Sequence, residues 1–127
     1  MTKAAQMVTL QDLKTPRISI HLEAQLRSDG FLRLEGQDLG PEVEALTGED
    51  EYEYFLTVQP DHVPGVLAAL VRNSVGRVEA QSTNPTDDER LLLELLLRAY
   101  GAGRFTGRSD FAEFLDKNGV PYELFSC

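Results

Sequence analysis

Residues 17–35 read RISIHLEAQLRSDGFLRLE, and this stretch decides the fold. Ile18, Ile20, Leu22, Ala24 and Leu26 alternate with Ser19, His21, Glu23, Gln25 and Arg27, the period of a strand with one buried face. Ser28-Asp29-Gly30 interrupts the pattern with a turn, since Asp29-Gly30 suits the positive φ values of a hairpin loop. Phe31 to Glu35 returns as a second strand with Leu32 and Leu34 on one side.

Downstream, Gly36-Gln-Asp-Leu-Gly-Pro41 reads as a break in that strand. Asp38 or Gly40 then opens a short helix with Pro41 in its first turn, ending at Gly48. Glu42 and Glu44 fall near its positive end, where carboxylates are favoured. Glu51 to Val58, EYEYFLTV, is a third strand, paired with 31–35. Tyr52, Tyr54, Leu56 and Val58 share one face, Glu51, Glu53, Phe55 and Thr57 the other. Phe55 on that otherwise polar side implies that it is partly covered.

Asp61 is the expected cap of a helix through Arg72 with Val63, Val66, Leu67, Leu70 and Val71 at helical spacing. Residues 74–85 read as loop, with a short strand near 75–80. Thr86 and Glu89 match a capping box, opening a helix that stops at Gly101. Leucines cover most of its circumference from Leu91 to Leu97, which suits a core helix; a homodimer interface is the alternative. Ser109 is the expected cap of a last helix carrying Phe111, Phe114 and Leu115, which ends at Asn118-Gly119. Residues 120–125 form an edge strand, because Pro121 lacks a ladder donor. Residues 1–15 show no clean period and read as a loose arm or short helix before one domain, 16–127. The fold expected is α+β: an antiparallel sheet of three to five strands with helices packed mainly on one face.

The chain has 127 residues, 42% of them hydrophobic, enough for one core without disulfides or a structural metal. Its one cysteine, Cys127, allows neither an intrachain disulfide nor a cysteine zinc site. No apolar run approaches the roughly 20 residues of a membrane span, and no signal-peptide pattern is seen, so a cytoplasmic location is expected.

The net charge of −9 is unevenly placed. Residues 34–71 contain no lysine or arginine but nine acids, while the rest of the chain balances twelve acids with twelve bases. Such a chain lacks the basic footprint for direct binding to nucleic acid or an anionic membrane. A basic protein is the natural partner. A solvated face that aids solubility is the plainer reading.

Motifs for chemistry are sparse. Gly101, Gly103 and Gly107 with Arg104 and Arg108 make a basic loop, a candidate ligand-binding spot. Its spacing matches neither GxGxxG nor GxxxxGK[ST], and it follows a helix instead of a strand. The acids of 35–53 lack the calcium-loop pattern, and neighbours on a strand point to opposite faces, so no metal or other cofactor is expected. His21 and His62 read as surface residues, and no serine lies in a G-x-S-x-G setting. No catalytic residue is assigned, and an enzyme is the less favoured class. The candidate protein-binding residues are Glu49, Asp50, Glu51, Glu53 and Phe55, an acidic patch with an aromatic anchor. A nucleic-acid mimic acting on DNA-binding proteins, and a small-molecule binder or enzyme at Arg104 and Arg108, are the alternatives.

Leu34 to Gly40, Asp50 to Val58 and Gly119 to Ser126 resemble a set of small bacterial proteins of unassigned function, over about residues 18–127. The resemblance implies a bacterial source and a single-domain fold. In size, acidity and lack of catalytic groups the chain is also similar to immunity proteins that neutralise bacterial toxins, which implies an inhibitor role.

Overall fold

Strands β2 (Ser19–Leu26) and β3 (Leu32–Leu39) form the hairpin, in the register Leu26↔Leu32. Its loop is closed by Arg27 N–H to Phe31 O and Gly30 N–H to Arg27 O, both 2.9 Å, with Gly30 at φ 93°. The Asp29 carboxylate accepts the Phe31 N–H at 3.3 Å, the usual role of aspartate in a turn. The computed structural model describes residues 6–48, 51–73 and 85–126; the expected strand near 75–80 lies outside them.

β3 does not break at Gly36 but runs on to Leu39. Gly36 sits directly across from Tyr54, and a β-carbon at position 36 would collide with the tyrosine ring. The glycine marks a close approach inside a strand, not a strand end. At Gly40, φ 121° turns the chain into helix α1 (Pro41–Thr47), and Gly48 ends the helix in the left-handed conformation at φ 85°.

The N-terminal residues are a second correction. Residues 6–14 are neither arm nor helix but strand β1 (Gln6–Lys14), antiparallel to β2. The register slips by one between Thr9 and Gln11. A bulge of this kind moves the inward positions from Gln6, Val8 and Leu10 to Gln11 and Leu13, and so erases the alternation. β4 (Glu51–Val58) pairs with β3, and β5 (Glu123–Ser126) adds to the outer side of β4. The five strands lie in the order β1-β2-β3-β4-β5, with every neighbouring pair antiparallel.

Helices α2 (Val63–Arg72), α3 (Pro85–Gly101) and α4 (Arg108–Lys117) pack on one side of this sheet. The result is the α+β architecture expected. Leu22, Ala24, Leu26, Leu32, Leu34, Leu56 and Val58 of the strands meet Val66, Leu70, Leu92, Leu95, Leu96, Phe111 and Leu115 of the helices. Each such leucine contributes roughly 1.5–3 kcal/mol by leaving water. In α3, Leu92, Leu93, Leu95 and Leu96 are all buried while Leu97 is 45% exposed, so most of its apolar girth is spent inside this chain.

Two caps differ from expectation. Asp61 lies inside a 3-10 turn, Pro60–His62, which runs straight into α2, so no side chain caps that helix. Pro64 in its first turn has no N–H to satisfy. For α4 the capping group is Asp110 in place of Ser109: its carboxylate accepts the Gly107 N–H at 3.1 Å and the Thr106 N–H at 2.5 Å. A carboxylate is the stronger acceptor at a helix N-terminus. No helix among the described residues is long and apolar enough to cross a membrane.

Candidate functional site

The side of the sheet away from the helices carries the alternate residues of the same strands. Cross-strand registers order them in rows. Glu23 of β2 faces Glu35 of β3, which faces Phe55 of β4, which faces Phe125 of β5. One step along, His21 faces Gln37 and Gln37 faces Glu53; a step further, Leu39 faces Glu51. In the other direction, Gln25 faces Arg33, Arg33 faces Thr57 and Thr57 faces Glu123. Glu23, Glu35, Glu53 and Glu51 therefore form a diagonal band across three strands.

Among the described residues, glutamines bond to these carboxylates. The Gln25 side-chain amide donates to Glu35 at 3.0 Å and to Glu23 at 3.5 Å, and that of Gln37 donates to Glu51 at 2.6 Å. Like charges directly opposite on neighbouring strands are destabilising, and amide bridges only soften this. The strain registers at Glu53. Its carboxyl is pushed above the usual glutamate range, first by a hydrogen bond shared with Glu51, then by desolvation and the charges of Glu51 and Glu35.

Phe55 lies beside the band. The Arg33 guanidinium lies over it, 4.3 Å from the ring centroid, while its cross-strand neighbour Phe125 is 51% exposed. Of the sequence candidates, Glu51, Glu53 and Phe55 share this face; Glu49 and Asp50 lie outside the described residues. Sequence reasoning missed Glu23, which falls outside the acidic segment, and Arg33, at its edge. The hairpin alternation held the signal: Glu23, Glu35 and Arg33 all sit out of phase with the leucines.

The two arginines of the glycine-rich loop part company. Arg104 donates to the Asn73 carbonyl at 3.4 Å, at the end of α2. Arg108 turns to the sheet, where its Nη1 donates to the carbonyls of Phe125 (3.0 Å) and Phe55 (3.3 Å) and its guanidinium lies 5.0 Å from the Tyr54 ring centroid. It lines an open cleft of about 450 Å³ with Leu13, Ile20, Tyr52, Tyr54 and Asp38. Tyr54 donates its hydroxyl proton to Asp38 at 2.9 Å, and Tyr52 donates to Ser126 Oγ at 2.9 Å. Burial, with the nearby Asp38 carboxylate, pushes the Tyr54 phenol upward, and Arg108 partly counters this.

His21 stands on the open face with Nδ1 4.0 Å from Asp12, and His62 lies in the 3-10 turn. No group of three or more His, Cys, Asp or Glu side chains among the described residues is placed to hold a metal ion. Comparisons of the chain with protein-family models, curated proteins and solved structures return no match.

Proposed function

We propose that the chain is a protein-binding module that docks a basic partner on the open face of its sheet. The observation that carries this reading is the band Glu23–Glu35–Glu53–Glu51, with glutamine amides bonded to its carboxylates and Phe55 at its border. The free protein bears the mutual repulsion of these groups, and a partner's lysines and arginines would relieve it. Complementary charge of this kind raises the rate of encounter and rejects wrong partners, while the aromatic border supplies apolar contact. The sharpest form of the reading is an immunity or inhibitor protein in a bacterial cytoplasm, masking the basic surface of a toxin.

The test begins with capture from a nuclease-treated lysate, wild type beside Glu51→Lys/Glu53→Lys, followed by titration of the purified partner. A basic protein is expected that binds the wild type, is lost by the double variant and weakens roughly tenfold or more on raising salt through several Debye lengths of screening. A tight complex indifferent to both changes would sink the electrostatic reading.

A further inference from the structure

The open face is not uniformly acidic. Where the β2–β3 loop meets the outer strands, a groove of about 470 Å³ is walled by Phe31, Phe55 and Phe125 and holds Arg27 and Arg33. Arg27 is engaged by Asp29 at 3.4 Å. Arg33 is not engaged in this way. Its guanidinium lies over the Phe55 ring, and its buried Nε donates to no acceptor among the described residues. The cross-strand neighbours of Arg33, Gln25 and Thr57, carry no charge, and no carboxylate among the described residues pairs with it.

A guanidinium held over an aromatic ring has already lost some of its rotational freedom. Its planar fork of donors matches the two oxygens of a carboxylate. The groove thus combines a preorganised, unspent arginine with apolar walls, beside the glutamate band. We infer that Arg33 is a receptor for an aspartate or glutamate side chain carried by the basic partner, with an apolar residue next to that carboxylate seated against Phe55 and Phe125. The inference rests on the docking reading of this face and adds what fixes the partner's orientation. Basic residues lie on the band, one acidic residue on Arg33.

The charge distribution says why the carboxylate arrives on a protein. The chain carries −9 overall, and Glu123 lines the same groove, so its field repels a free anion. A carboxylate embedded among lysines is delivered by the attraction of those lysines to the adjacent band. An orienting contact of this type separates the correct partner from any merely cationic surface.

The probes are two short lysine-rich peptides, one with a central Leu-Glu pair and one with Leu-Gln, titrated into the full-length protein. Backbone amides of the band and the side-chain Nε–Hε signal of Arg33 are followed by NMR. The glutamate peptide is expected to bind roughly tenfold more tightly and to move the Arg33 signal, whereas the glutamine peptide moves only the band. In Arg33→Lys, which keeps the charge and loses the planar fork, the two peptides should bind alike. An unchanged amide spectrum away from the face confirms that this variant is folded. Equal binding of both peptides to wild type, with the Arg33 signal unmoved, overturns the carboxylate receptor and leaves the docking face standing. Failure of both peptides to move any open-face signal overturns both. Free acetate that moves the Arg33 signal at the concentrations effective for the peptide overturns the claim that the carboxylate must come on a basic carrier.

Discussion

The two faces of the sheet are made from the same strands and differ only in which alternate residue each receives. On the helix side, Ala24, Leu34 and Leu56 stand side by side, fully buried, where leaving water stabilises the fold. On the open side, Glu23, Glu35 and Phe55 occupy the neighbouring row, where two like charges oppose each other and a phenyl ring is left under an arginine. One face is explained by burial alone. The other sets two carboxylates opposite each other on neighbouring strands, and the proposed function rests on it. One phase of the alternation builds the core, and the proposed docking falls to the other.

The comparison is broken most severely from the helix side. Leu95→Ala and Leu34→Ala should each cost about 2–5 kcal/mol in denaturant unfolding, since both sites are fully enclosed and leave cavities. Gly36→Ala should cost about 1–3 kcal/mol through its clash with the Tyr54 ring. In a Tyr54→Val background that cost should largely vanish, and a double-mutant cycle showing additive effects would refute the close-approach account. Tyr54→Phe should cost about 0.5–1.5 kcal/mol by removing the donor to Asp38.

On the open side the sign reverses. Glu35→Gln should leave stability unchanged or raise it by about 0.2–1 kcal/mol, while weakening binding of a basic partner. A loss of more than about 1 kcal/mol would mean that the band serves the fold.

The smallest effect is in the pH dependence. Glu53 in the folded protein holds its proton more tightly than in the unfolded chain. Between the ordinary glutamate value and the raised folded value the native state binds more protons, so this group's contribution to stability falls as pH rises through that window. Subtracting the stability profile of Glu53→Gln from that of wild type should show this fall, and a flat or rising difference would sink it. A bound cation near the band should draw the Glu53 value down again, so partner binding within the same window should release protons.

Local pattern was enough for much of this. The 17–35 hairpin, β4, the three long helices and the edge strand at the C-terminal end all follow from period, turn chemistry and the placement of proline. Where it failed, the cause was a long-range contact. The bulge at Thr9–Gln11 hides β1 because its second half changes phase. Gly36 reads as a breaker until Tyr54 is seen to need its missing side chain. Asp61 and Ser109 have the chemistry of caps, but the adjoining 3-10 turn and Asp110 leave them no cap to make. Of the candidate sites, Glu51, Glu53 and Phe55 were readable as one strand face; their junction with Glu35, Glu23 and Arg33 was not.

By itself, then, the sequence determined the class of fold, the buried phase of each regular strand and the sign of the charge on the chain, because each depends on spacing a few residues apart. Only the tertiary structure decided that Glu23 joins the band, that Arg33 lies over Phe55 with its Nε unpaired among the described residues, and that Arg104 and Arg108 face different ways. Those facts depend on strand register and on packing between residues distant in the chain, and no local period encodes either.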